Sequence, residues 1–125
     1  MLFRSKNASI IPQLIISFSA YAVAKDFNTY HEFIKFLHAF GVRVLLKRFD
    51  SQSMSLNQIK TLKPDFVRLS RELSNDLQGD NEKVSFLQTL KEIGGLLDIS
   101  ILAENIRSDA DFDIVRNIGL DGASR

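Results

Sequence analysis

Four basic side chains and one acid occupy the positions where this sequence could engage an anion or a metal. Lys47 and Arg48 sit side by side at the end of an apolar run. Arg68 lies within a second such run, and Glu104 and Arg107 follow a third. Guanidinium groups bind phosphate through paired N–H donors, which makes Lys47, Arg48, Arg68 and Arg107 a candidate phosphate site. The competing reading is that they offset Glu104 and Asp50 or reach solvent, where ion pairs are worth little. Glu104 reads as a structural ion-pair partner of Lys47 or Arg68 rather than as a metal ligand. His31 and His38 share a helix face, but a metal would need further ligands beside them, so they read as surface or packing residues. Phe33, Phe36 and Phe40 read as the core face of the same helix rather than as a stacking platform. Arg71, Glu72 and Asp76 form an ordinary solvated charge run.

Composition bounds what those residues can do. The 125 residues suffice for one compact domain, and 45% hydrophobic against 25% charged is the balance of a globular chain with a real core. A formal net charge of +1 gives no electrostatic argument for nucleic acid or an anionic membrane. There is no cysteine, which excludes disulfides, thiolate zinc sites and thiol nucleophiles and fits a reducing cytoplasm. Arg4 and Lys6 ahead of the apolar stretch Ile10 to Ala24 imitate a signal peptide, but Pro12, Gln13, Ser17 and Ser19 interrupt it. A buried strand explains the stretch better, and it is too short to span a membrane as a helix.

The elements that must position these groups alternate along the chain. Short apolar runs read as strands at Leu14 to Ser19, Val42 to Leu46, Phe66 to Leu69, Ser100 to Ala103 and Leu120 to Ala123. Helical spacing appears over Tyr30 to Phe40, around Leu56, Ile59 and Leu62, over Glu82 to Leu97, and after Ser108, which caps a helix with Asp109 and Asp111 in its first turn. Gly41 stops the first helix, and Pro64 halts the second. Strands alternating with helices imply βαβ units, right-handed crossovers and a parallel sheet covered on both faces. The expected class is therefore α/β. A closed eight-unit barrel needs roughly 250 residues, so a barrel would be only about half present. A doubly wound open sheet is the alternative architecture.

The run from Arg43 through Phe49-Asp50-Ser51-Gln52-Ser53-Met54-Ser55-Leu56 to Asp65-Phe66-Val67-Arg68-Leu69 resembles, without a gap, the EAL-domain stretch that carries Asp-Asp-Phe-Gly-Thr-Gly and ends in Lys-Ile-Asp. Leu14 to Tyr21 resembles the family's Phe-Glu-x-Thr-Glu-Ser strand. Ile101 to Arg107 resembles Ala-Glu-Gly-Val-Glu with its preceding apolar pair, and Ile118 to Ser124 resembles Gly-x-Asp-x-x-Gln. Four ordered blocks cover nearly all of the chain after about residue 13. The resemblance implies a modified (β/α)8, TIM-like barrel that hydrolyses cyclic di-GMP with divalent metals. Residues 1–125 would form its C-terminal half, with the Glu-Ala-Leu motif upstream of Met1.

That resemblance also says where the chemistry should sit. Carboxylates would be expected at Ser17 and Ala20, the metal-binding pair at Lys47 and Arg48, a lysine and an aspartate at Arg68 and Ser70, two glutamates at Glu104 and Arg107, and a glutamine at Ser124. Asp50 and Gln52 replace loop glycines. One acid of the set remains. At about 4 Å and an effective dielectric near 20, each unit-charge interaction is worth roughly 4 kcal/mol, so placing cations where anions should hold metal penalises metal binding twice over.

The resemblance thus implies a degenerate, non-catalytic module with no cofactor and no bound metal. The leading expectation is a regulatory domain that contacts protein partners. Cyclic di-GMP binding without metal is the alternative, and active phosphodiesterase the least favoured reading. The Tyr21-Ala22-Val23 continuation looks most like the EAL parts of membrane-associated GGDEF–EAL regulators, among them the one that directs RNase E in small-RNA decay and relatives connected with MSHA pilus biogenesis. A cytoplasmic location is expected, with the parent protein membrane-anchored in such cases. Open half-barrel edges would favour self-association.

Overall fold

The computed structural model describes residues 14–125. Arg4, Lys6, Ile10, Pro12 and Gln13 of the signal-like outline lie outside the described residues. The strands are β1 (Ile15–Ser19), β2 (Arg43–Phe49), β3 (Phe66–Leu69), β4 (Ser100–Ala103) and β5 (Gly122–Ala123). The helices are α1 (Ala20–Lys25), α2 (Phe27–Ala39), α3 (Leu56–Leu62), α4 (Arg71–Ser74), α5 (Asn81–Leu97) and α6 (Asp109–Ile118). All four strand pairings are parallel and the spatial order is β1-β2-β3-β4-β5.

This order decides between the two architectures. A doubly wound sheet reverses direction at a switch point. Here every crossover steps to the next strand in the same sense, and right-handed connections then put every helix on one face. The sheet is the arc of a TIM-like barrel rather than an open doubly wound sheet.

Burial separates the two faces. Val44, Leu46, Val67, Leu69, Ile101 and Ala103 point at the helices and join the core with Ile34, Leu37, Ile59, Leu87, Leu90 and Val115. The opposite face carries the row Ser17, Leu45, Phe66 and Ser100, and above it Ser19 with Lys47 and Arg68 with Leu102 and Gly122. Continuing each strand by two residues brings Ser70, Glu104 and Ser124 to the C-terminal rim.

Parallel strands have no hairpin to fix their register, and two aspartates do part of that work here. Asp65 precedes β3 and takes the Val44 N–H of β2 on its carboxylate at 2.7 Å, while its own N–H donates to the Val44 carbonyl. Asp121 precedes β5 and repeats the device on Ile101 of β4, at 2.8 Å. Each carboxylate also meets a cationic or imidazole group, His38 at 2.9 Å and Lys91 at 3.3 Å. His38, expected as a surface or packing residue, is instead a polar partner of Asp65.

Several sequence expectations need correction. The strand of the apolar stretch ends at Ser19 as expected, but it is not buried: Leu14 and Ile15 are 55% and 45% exposed. The Ser19 hydroxyl accepts the Ala22 N–H and starts α1, whose Ala20 and Val23 are buried one turn apart. Phe33, Phe36 and Phe40 are not a core face: they are 44%, 57% and 64% exposed. Helix α2 has two apolar stripes, and the core takes the one with Phe27, Tyr30, Ile34 and Leu37. The aromatic stripe instead forms a surface chain, Phe18–Phe33–Phe36–Phe40, with ring centroids 5.9, 6.4 and 4.9 Å apart. Helices α1 and α4 come in addition to the four expected, and β5 shortens to Gly122–Ala123.

Helix α5 shows how tightly the layers pack. A Cβ at Gly94 would lie 2.6 Å from the Ile99 carbonyl oxygen, whereas one at Gly95 meets nothing within 4 Å. Gly94→Ala should therefore cost about 2 kcal/mol through forced separation of α5 from β4. Gly95→Ala should be neutral or stabilise by up to about 1 kcal/mol through helix propensity. Urea unfolding of the two variants measures the contrast, and equal effects would contradict this packing.

Candidate functional site

The rim at the C-terminal ends of the strands holds most of the chain's chemistry-bearing residues, and β2 delivers two of them through a bulge. Between the paired positions Leu46↔Val67 and Phe49↔Leu69, β2 advances three residues while β3 advances two. Arg48 is the extra residue and has a positive φ of 55°. A simple alternation would turn residue 48 toward the helices and residue 49 away from them. The bulge leaves Arg48 exposed and returns Phe49 to the core, where it stacks on Phe86 at 6.1 Å. Neither Lys47 nor Arg48 has an ion-pair partner among the described residues.

Arg68 and Glu104 meet across β3 and β4, Nε to Oε2 at 3.0 Å, each side chain a little over a third exposed (38% and 37%). Of the two partners expected for Glu104, the structure selects Arg68. A cleft of about 440 Å³ opens beside Glu104, lined also by Arg48, Asp50, Ser70, Arg71, Glu72 and Asn105. Its acids are partly committed elsewhere. Asp50 Oδ1 accepts the N–H groups of Gln52 and Ser53 at 2.9 and 2.8 Å, which closes the loop after β2 without glycine. Ser70 is buried, and its hydroxyl caps α4 by accepting the Leu73 N–H.

The remaining expected positions scatter. Ser17 is exposed on the inner face of β1, and Ala20 is fully buried among the core side chains rather than on the rim. Arg107 leans outward to Asp76 at 3.7 Å. Ser124 is exposed and contributes its backbone, donating to the Ala103 carbonyl and accepting the Ile106 N–H. The structure thus brings Arg48, Ser70 and Glu104 to one cleft, with Arg68 held against Glu104, and leaves Ser17, Ala20, Arg107 and Ser124 outside it.

Two residues that hold the rim together escaped the sequence reading. Asn75 is fully buried. Its amide donates to the carbonyls of Arg71 and Asn105, and its side-chain oxygen accepts the Arg107 N–H, which ties the β3–α5 connection to the β4–α6 loop. Asp111, expected only as a first-turn acid of α6, is buried and accepts the N–H groups of Asp76 and Leu77 at 2.9 Å each. No periodicity marks either residue. An Asn or Asp within a charged loop or a first helical turn is ordinary until its partner, 30 or 35 residues away, is known.

The residue set does not suit a pair of divalent cations. Hard cations need several oxygen ligands, preferably carboxylates. Asp50, Glu72 and Glu104 all line the cleft, but among the described residues no three His, Cys, Asp or Glu side chains are placed to hold a metal ion together. Of the two acids that directly follow a strand here, Glu104 is occupied by Arg68 and Asp50 by the backbone of its own loop.

The EAL domain family model matches residues 2–124, and the chain belongs to that cyclic-di-GMP signalling family. Over 115 residues it is 23% identical to the blue light- and temperature-regulated antirepressor BluF of Escherichia coli, covering 92% of this chain and 28% of BluF. Its fold overlays BlrP1 of Klebsiella pneumoniae, solved with calcium and cyclic di-GMP, with a TM-score of 0.81 at 19% identity, over 96% of this chain and 31% of BlrP1. A standalone EAL protein of Vibrio cholerae bound to cyclic di-GMP gives 0.75 at 20% identity, over 95% and 51%. The chain therefore spans between about a quarter and half of these relatives, and the likeness is that of a partial TIM-like EAL fold. No helix among the described residues is long and apolar enough to cross a membrane.

Asp111 makes a pH-dependent contribution. Burial works against its charged form. Hydrogen bonds from the backbone of Leu77, Asp76 and Gln78 and from the Ser108 side chain outweigh burial and hold the carboxyl below its ordinary 3.8. A folded-state pKa below the unfolded one stabilises the fold above the unfolded value, and the gain disappears as pH falls through the folded pKa. Asp111→Asn should cost about 2 kcal/mol at neutral pH by weakening charge-assisted bonds. Urea unfolding should show that deficit narrowing toward pH 3, below the ordinary carboxylate range. A deficit unchanged with pH would show the carboxylate's charge to be unimportant.

Proposed function

We propose that this chain is a non-catalytic, regulatory part of an EAL domain, its C-terminal half, acting through contacts with protein partners. The observation that carries the reading is the rim's charge. Among the described residues Lys47 and Arg48 stand without an ion-pair partner at the end of β2, and Glu104 is paired with Arg68. On this reading Ser17, Ala20, Lys47, Arg48, Arg68, Ser70, Arg107 and Ser124 replace metal- and water-handling groups, and arginine at position 68 keeps a charge without a lysine's capacity to shuttle a proton. A relative that is an antirepressor supports a role exercised on other proteins. Membrane-associated GGDEF–EAL regulators of the kind that direct RNase E or serve MSHA pilus biogenesis are the subfamily we assign, on the strand-end substitutions and the Tyr21-Ala22-Val23 continuation. A cytoplasmic site of action follows from that assignment.

The cleft favours a second reading, a receptor for cyclic di-GMP that needs no metal. Arg48 and Arg71 both line it, and guanidinium forks suit phosphodiester oxygens. One experiment separates the possibilities. Cyclic di-GMP is incubated with the chain and magnesium or manganese, and binding is followed in parallel by calorimetry without metal. The regulatory module gives neither linear dinucleotide nor binding heat. Saturable heat without turnover selects the receptor, and turnover defeats both.

Self-association is a further contact we assign. The outer edges of β1 and β5 carry no strand among the described residues, and the exposed Phe33, Phe36 and Phe40 lie on the helix between β1 and β2. Light scattering on the eluting chain should give a mass above the monomer, reduced to the monomer by Phe36→Glu. A monodisperse wild-type monomer would rule the contact out.

A further inference from the structure

A second cleft, of about 290 Å³, lies on the outer side of the same rim, lined by Arg71, Asn105, Ile106, Arg107 and Arg125. Three arginines line this small opening, and no acid does. Arg71 has no ion-pair partner among the described residues. Arg107 reaches Asp76 at 3.7 Å, too long for a hydrogen bond, and Arg125 meets Asp109 at 2.6 Å while lying 4.8 Å over the Phe112 ring. Both acids are more than 80% exposed, so water screens these pairs and they dissociate at little cost.

The floor is more rigid than the arginines. Asn75 is fully buried and holds the Arg71 carbonyl, the Asn105 carbonyl and the Arg107 N–H in one network. Two of the three arginines are therefore anchored through their backbones to one pinned amide. Ile106 is buried and supplies an apolar base. Fixed backbones carrying exposed, weakly engaged guanidiniums suit recognition of several carboxylates spaced along an extended chain.

We propose that this cleft docks an acidic peptide segment of a partner protein. The proposal rests on the regulatory, protein-contacting reading and adds to it the place and the chemistry of the contact. The nearly neutral formal net charge of +1 means that overall attraction contributes little, so the local cluster has to supply the binding.

The test uses the full chain and a fluorescein-labelled poly-glutamate peptide, with anisotropy as readout. The wild-type chain should bind it, and should release it as salt rises. The double variant Arg71→Ala/Arg107→Ala should bind about tenfold more weakly, the loss expected for one or two charge-assisted hydrogen bonds. Lys35→Ala/Lys60→Ala, on α2 and α3 outside the cleft, should leave binding unchanged. Asp76→Asn/Asp109→Asn releases two arginines and should tighten binding, a gain that misfolding cannot imitate. Equal weakening by the Lys35/Lys60 variant, no tightening by the Asp76/Asp109 variant, or no wild-type binding overturns the docking site. None of these outcomes bears on the regulatory reading, which fails if the chain hydrolyses cyclic di-GMP or binds it with saturable heat.

Discussion

Register is the constraint on which the rest of the structure depends. In a parallel sheet each strand is followed by a long crossover, and nothing local decides how far it slides against its neighbour. A slip of one residue would exchange the helix-facing and inner-facing sets on that strand. Asp65 and Asp121 oppose such slippage by fastening the start of β3 to Val44 and the start of β5 to Ile101. The Arg68–Glu104 distance depends on the β3–β4 pairing between these two clamps, where the Ser100 N–H donates to the Asp65 carbonyl at 3.0 Å.

The bulge in β2 is the deliberate exception. It changes facing within one strand after the register has been set, sending Arg48 to solvent and Phe49 to the core. Its position matters because Lys47 and Arg48 are the two cations that the proposed reading sets in place of metal ligands. Scaffold and chemistry are separable here. The bulge, the Asp50 turn and the Ser70 cap all persist with side chains that hold backbone in place, and none of them requires a metal.

Much of this architecture was legible in the sequence because it depends on short-range signals. Apolar runs bounded by polar residues gave the five strands, and Ser108 and Gly41 marked helix ends through local backbone chemistry. The pairing of Glu104 with a cation could be anticipated once the family resemblance put it at the same rim as Lys47 and Arg68, though not the choice of Arg68 over Lys47. What stayed hidden was long-range or ambiguous. Helix α2 carries two apolar stripes, and composition could not say which one the sheet would cover. Asn75 and Asp111 act on backbone groups far along the chain, and no pattern within their own segments announces it.

The energetics of the rim point the same way as its charge. The Arg68–Glu104 pair is more than a third exposed, so its contribution to stability is on the order of 1 kcal/mol or less. The buried Asn75 and Asp111 networks are the costly ones to disturb, because each would leave several backbone donors or acceptors without partners. The ionic face of the rim is therefore the part of this molecule that substitution can change most cheaply, while the loops beneath it are held. A surface so cheaply altered over a fixed base is what the proposed exchange of metal-dependent chemistry for recognition requires.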